Sequence, residues 1–208
     1  MAISKLSNSS TISGFKNSNA WDNQTSTGDF YALSSYTVGA EQAGVVTFSN
    51  IPFDTYKHLQ IRAFARSTGP YTYSTFYMRF GGDATTNYTY RAIYGTGSSA
   101  PLMYGRASGG DAYSVTQQIA GANSIQYGFG AVVIDIYDSS RMDNTYTGVR
   151  NKVVKSIGGY ENNNTGTPPN GLFLNSSTHF NIGPINKIDF YTDGLFDQYS
   201  QISLYGIK

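Results

Sequence analysis

Apolar and polar residues along this chain alternate with period two over short runs. No segment repeats apolar residues at i, i+3, i+4 and i+7 over three turns, so the pattern predicts strands and no amphipathic helix. In Lys57 to Arg66, Leu59, Ile61, Ala63 and Ala65 take one face, and His58, Gln60, Arg62 and Arg66 mostly take the other. Thr75 to Phe80 sets Phe76, Met78 and Phe80 inward against Tyr77 and Arg79. Tyr88 to Tyr94 places Tyr88, Tyr90, Ala92 and Tyr94 on one side, and Val149 to Ile157 sets Val149, Val153 and Ile157 against Arg150 and Lys152. The most apolar run is Tyr127 to Asp138. Val132, Ile134 and Ile136 point one way and Ala131, Val133, Asp135 and Tyr137 the other, so a β-branched segment that is nearly apolar on both faces predicts a central strand, buried and covered by its neighbours.

Phe30 to Val38, Val45 to Phe48, Tyr113 to Ile119, Leu172 to Leu174, Ile185 to Tyr191 and Ile202 to Ile207 complete the set. That makes about eleven short strands at roughly 8–20 residue spacing. Turn chemistry separates them at Gly39 to Gly44, Asn50-Ile51-Pro52 and Gly81-Gly82-Asp83; Gly95 to Gly110 reads as a Gly- and Ser-rich surface loop and Glu161 to Asn170 as an exposed, mobile tip. The predicted architecture is all-β, an antiparallel β-sandwich of jelly-roll-like kind, forming one domain over residues 30–208. Residues 1–29 show neither period and are dominated by Ser, Asn and Thr. They predict an extended polar N-terminal arm anchored by Trp21, the only Trp.

Composition narrows the partners. A chain of 208 residues with 39% hydrophobic content has enough apolar material for one core, and 13% charged residues is far below the usual figure of about 25%, with Gly, Ser, Thr, Asn and Tyr in their place. The formal charge of +1 supplies no field to attract nucleic acid or an anionic membrane. With no Cys there is no disulfide, thiolate nucleophile or thiolate metal site. No stretch approaches a membrane-spanning run of about 18 apolar residues, and the start lacks an apolar signal-peptide core, so a soluble protein not exported by that route is expected.

Enzyme signatures are nearly absent: there is no Gly-x-Ser-x-Gly elbow, no His-Glu-x-x-His and no phosphate-binding loop. His58 and His179 are far apart and read as surface or turn histidines rather than bases or metal ligands. Asp135, inside the most apolar strand, reads as pairing with an Arg or a backbone group, the alternative being a general acid raised by burial. Asp138, Asp143, Asp189, Asp193 and Asp197 read as turn residues. No Asp-x-Asp-x-Asp run supports calcium. The expectation is a protein without catalytic residues, cofactor or metal. Tyr71, Tyr73, Tyr77, Tyr88, Tyr90 and Tyr94 crowd one third of the chain, and exposed Tyr serves sheet surfaces, subunit interfaces and sugar stacking alike. Tyr88, Tyr90 and Tyr94, with Trp21, are the candidate interface residues. Asn-x-Ser/Thr triplets at Asn8, Asn23, Asn87, Asn163 and Asn175 read as chance matches in so Asn-rich a chain.

The run Tyr77-Met78-Arg79-Phe80-Gly81-Gly82-Asp83-Ala84-Thr85-Thr86-Asn87-Tyr88, after a strand of the form His58-Leu59-Gln60-Ile61-Arg62, resembles a pattern in small virion structural proteins of tailed bacteriophages, notably cyanophages. Gly81 stands where the usual residue is Asn. The ending Ile202-Ser203-Leu204-Tyr205-Gly206-Ile207-Lys208 is similar to the way such proteins end, and Ala131 to Ile136 and Val149-Arg150 fit the same order. The resemblance spans roughly residues 45–208. It implies a β-sandwich on a virion, decorating and cementing the outer capsid surface as a homo-oligomer, taken as a trimer, bound to the major capsid protein. The alternative it leaves open is a tail- or fibre-associated module that recognises host surface glycan. It assigns no catalytic or binding residue.

Overall fold

In the computed structural model the described residues are 30–52, 55–56, 58–95, 102–111, 115–138, 151–161, 171–180 and 186–207. The expected arm, with Trp21, and residues 162–170 of the expected tip lie outside them. The chain divides into Met1–Tyr31 and Ala32–Lys208, and the account below concerns the second unit and the strand that leads into it. The strands are β1 Phe30–Thr37, β2 Val46–Ser49, β3 His58–Ala65, β4 Tyr73–Phe80, β5 Tyr88–Gly95, β6 Leu102–Asp111, β7 Val115–Ala120, β8 Gly130–Asp138, β9 Lys152–Tyr160, β10 Gly171–His179, β11 Lys187–Thr192 and β12 Gln201–Ile207. They form an eight-stranded sheet in the order β1-β12-β3-β8-β9-β10-β5-β6 and a four-stranded sheet in the order β2-β11-β4-β7. Along β12-β3-β8-β9-β10-β5-β6 and along β2-β11-β4-β7 every pairing is antiparallel, and no α-helix occurs among the described residues. The architecture is all-β, as the alternation predicts.

The core lies between the sheets, where β3, β8 and β12 of the larger sheet and β4 and β11 of the smaller turn apolar faces to one another. From the larger sheet come Leu59 and Ile61 of β3, Val132, Ile134 and Ile136 of β8, and Ile202 and Leu204 of β12, all buried. The smaller sheet answers with Phe76, Met78 and Phe80 of β4 and Ile188 and Phe190 of β11. Phe76 packs on Phe190 and Phe196 with ring centroids 5.5 and 5.8 Å apart, and Phe48 meets Phe190 edge-on at 5.9 Å. Phe80 and Tyr73 cross the gap to His179 and Tyr160 of the larger sheet, at 5.3 and 6.4 Å. Offset and edge contacts of this kind add to plain area burial.

Several elements depart from the sequence expectation. Gly81 and Gly82 turn the chain with φ of 60° and 75°, and the Asp83 amide donates to the Phe80 carbonyl at 2.8 Å. Two successive left-handed residues are what glycine supplies without steric cost. The turn does not close a hairpin: β4 and β5 belong to different sheets, so it carries the chain across the core. Gly95 to Gly110, expected as a loop, contains β6, which pairs with β5 from Tyr94↔Leu102 to Tyr88↔Asp111. Backbone pairing does not need a strand-forming side chain, so a Gly- and Ser-rich segment can occupy a sheet edge. Leu172 to Leu174 proves to be the start of the nine-residue β10, whose polar second half, Asn175 to His179, disguised it.

Candidate docking face

β8 is central, between β3 and β9, but only one of its faces is covered. Val132, Ile134 and Ile136 are buried, whereas Ala131 and Tyr137 are exposed and Val133 and Asp135 half-buried. The expectation of burial on both sides is therefore corrected: among the described residues, no strand packs on the outer face of the larger sheet. Asp135 lies on that open face and accepts a hydrogen bond from Gln60 Nε2 at 2.9 Å, so its partner is a side-chain amide rather than an Arg or a backbone group.

β9 and β10 show the reverse of ordinary patterning. In β9 the buried residues are Lys152, Val154, Ser156, Gly158 and Tyr160, while Val153 and Ile157, expected inside, are exposed. In β10, Phe173, Asn175, Ser177 and His179 are buried and Leu172 and Leu174 are 62% and 52% exposed. The sequence phase of β9 is ambiguous because Val153 and Val154 are adjacent, and a one-residue shift of reading exchanges the faces. Serine and glycine lie inward on these strands, opposite the smaller sheet. Aliphatic residues are left outside.

Pairing aligns the exposed residues into rows across the sheet. One row runs Ile93, Leu174, Ile157, Val133 and then Arg62. The next runs Leu172, Gly159, Ala131 and Phe64, with Phe64 stacked on Phe129 at 4.5 Å. Large, small, small, large in succession make a hollow of about 490 Å³, lined among others by Phe129, Ala131, Val133, Ile157, Gly159 and Leu172, with Glu161 as its charged member. Gly159 is required there because a Cβ would collide with the Gly171 carbonyl oxygen. On the other side of the Ile157 row is a polar one: Arg91, Ser176, Lys155, Asp135, Gln60 and Tyr205. The outer face is an apolar band with a polar border, the composition of a recognition patch.

The candidate interface tyrosines face elsewhere. Tyr88 is fully buried; its ring stacks on His179 at 4.2 Å, and its hydroxyl accepts from the Phe80 amide at 3.1 Å and donates to the Asp83 carbonyl at 3.2 Å. Burial pushes its phenol well above the ordinary value. Tyr88 is thus a core residue, corrected from interface to interior, because its face of β5 packs on His179 and Phe80. Tyr90 and Tyr94 are half-buried on the same side of β5, and Tyr94 stacks on Phe173 at 4.9 Å. Trp21 lies outside the described residues. Leu172, Leu174 and Ile157 were missed as a site because period two tells which residues share a face and not which face is covered.

Two further expectations change. His179 is buried, not a surface residue, and its Nε2 is 3.0 Å from Asp83 Oδ2. Burial raises the Asp83 carboxyl, but hydrogen bonds from Thr85, His179 and Asn87 outweigh this and hold it below the usual carboxylate range. The His179 imidazole is lowered by burial and by Lys152, against the opposing pull of Asp83. An ionised Asp83 accepts only, so the neutral ring donates through Nε2. Asp189, expected in a turn, is buried within β11, where Thr47 Oγ1 donates to it at 2.6 Å and Lys187 Nζ pairs with it at 3.0 Å. His58, at the start of β3, is half-buried and stacks on Tyr137 at 5.0 Å. No group of three or more His, Cys, Asp or Glu able to hold a metal ion occurs among the described residues. No protein family and no curated protein matches the chain.

Proposed function

We propose that this chain is a non-enzymatic structural protein of a bacteriophage virion, a capsid decoration or cement protein seated on the outer capsid surface. It binds copies of itself as a homo-oligomer, a trimer in this reading, together with the major capsid protein. The observation that supports it is the inverted patterning of β9 and β10, which puts Ile157, Leu172 and Leu174 outside and Lys152 and Asn175 inside. Apolar residues gathered on one open face are stabilised only when a partner covers them, at about 1.5–3 kcal/mol for each side chain fully buried. The resemblance of the Tyr77 to Tyr88 run to virion proteins supplies the setting. Repetition by symmetry lets modest contacts hold a shell. We read the repeated crossing of the chain between sheets as a jelly-roll-like winding.

The alternative, a tail or fibre module holding glycan through Tyr88, Tyr90 and Tyr94, has less support because those rings turn inward. Counting copies per particle separates the two: on the order of hundreds for a decoration protein, a few to tens for a tail part. Leu172→Lys with Leu174→Lys should weaken capsid binding by about ten-fold or more per substitution and leave the monomer folded. Undiminished binding of that variant refutes the role assigned to this face.

A further inference from the structure

Arg66 follows β3 at the end of the sandwich where β8, β10 and β12 begin. Its side chain is buried, and a buried guanidinium requires partners for its donors. Nη1 donates to the carbonyls of Ile125 and Gly128 at 2.8 and 2.7 Å, Nη2 donates to that of Ala122 at 3.1 Å, and Nε lies 3.5 Å from Asp197 Oδ2. The Arg66 amide donates to Ser200 Oγ at 3.1 Å, and its carbonyl accepts from the Asp197 amide at 2.9 Å. A third turn joins them: Gly121 and Asn123 amides donate to the carbonyls of Thr72 and Tyr71 at 3.1 and 3.0 Å, and Asn123 Nδ2 donates to that of Pro70 at 3.0 Å. One buried charge and a web of backbone bonds lock three turns into a block.

Each turn presents a tyrosine to solvent. Tyr71, Tyr127 and Tyr199 are 61%, 80% and 65% exposed. Tyr127 and Tyr199 have φ of 60° and 70°. A left-handed conformation at a bulky residue costs on the order of 1 kcal/mol or more, and Gly or Asn would avoid it. Neither ring fills the core in return, so burial does not offset the strain.

The surroundings define what those rings suit. Thr68, Thr72, Asn123, Ser124, Gln126 and Gln198 supply hydroxyls and amides. Asp197 is taken up by Arg66 and by Gln42 Nε2, which donates to it at 3.3 Å; Asp193 accepts from the Thr75 amide and the Tyr77 hydroxyl at 2.7 and 2.9 Å. Phenol faces among neutral donors and acceptors do not match an ion or a lipid. They match a polyol whose C–H faces stack on rings while its hydroxyls exchange hydrogen bonds with amides. Fixing the backbone of the turns that carry the rings lowers the ordering cost of binding.

We propose that the loop end braced by Arg66 is a binding site for neutral carbohydrate, with Tyr71, Tyr127 and Tyr199 as its stacking platforms. The site adjoins the hollow of the docking face at Phe129, two residues after Tyr127, but rests on different rings, and it does not depend on whether the chain sits on a capsid or a tail. The test presents the full chain to an array of neutral oligosaccharides built from glucose, galactose, mannose and N-acetylglucosamine, with sialylated and sulfated glycans alongside. Binding to neutral glycans is expected, weakened by at least about five-fold in Tyr127→Ala and in Tyr199→Ala, and unchanged in Leu174→Lys. These exposed substitutions should leave the fold intact, which circular dichroism checks. No neutral-glycan binding by the unaltered chain, equal binding by both Tyr variants, or preference for charged glycans overturns the proposal. So does loss of capsid binding in the Tyr variants with glycan binding untouched, which would make the block a protein contact.

Discussion

His179 and Asp83 show how a single residue's role depends on what closes over it. The ring stacks on Tyr88, meets Phe80 at a tilt, pairs with Asp83 and sits opposite Lys152 across the β9–β10 ladder. Its folded pKa is lowered, so between that value and the unfolded 6.5 the unfolded chain binds more protons and stability falls as pH drops through this window. Asp83, also lowered, adds a loss at more acid pH, as the unfolded carboxyl begins to protonate near 3.8. Urea midpoints should therefore decline from about pH 7 to about pH 5, and His179→Gln should flatten that decline. Asp83→Ala strands the buried Nε2 donor and should cost about 1–3 kcal/mol. Identical slopes in the His179 variant and the unaltered chain would show that another group governs the acid limb. None of this was legible in the sequence, because the residues that bury His179 come from β4, β5 and the turn between them.

At the scale of the element, β8 and β9 set inner against outer. Ile134 is fully buried, so Ile134→Ala should lose about 2–5 kcal/mol. Ile157, on the neighbouring strand and exposed, should lose about 0.5 kcal/mol or less in the isolated chain when changed to Ala. Chemical denaturation of both variants, read as monomers, measures the contrast; comparable losses would mean that the outer face is covered within the chain itself. Alternation placed most strands within a few residues, since a half-buried strand imposes period two on its own sequence. It failed at β6 and in the second half of β10, where glycine, serine and asparagine carry the strand, and it took the wrong phase in β9. In each case the backbone ladder decided the element and the side chains did not reveal it.

For the whole molecule, a net charge of +1 and an apolar outer band point to contacts driven by area and not by field. The self-association proposed for the docking face should persist between about 0.05 and 0.5 M salt, as sedimentation velocity would show; dissociation at the higher value would mean that ion pairs, screened there, hold the contact. By itself the sequence determined the all-β class, the central place of the Ala131 to Ile136 run and the poverty of catalytic motifs, because period, propensity and composition are local properties. Only the tertiary structure decided which face of the larger sheet stays open, that His179 and Tyr88 are interior, and that Arg66 ties the turn at 122–128 to Asp197. Those outcomes depend on which strands stack on which, and residues far apart along the chain settle them together.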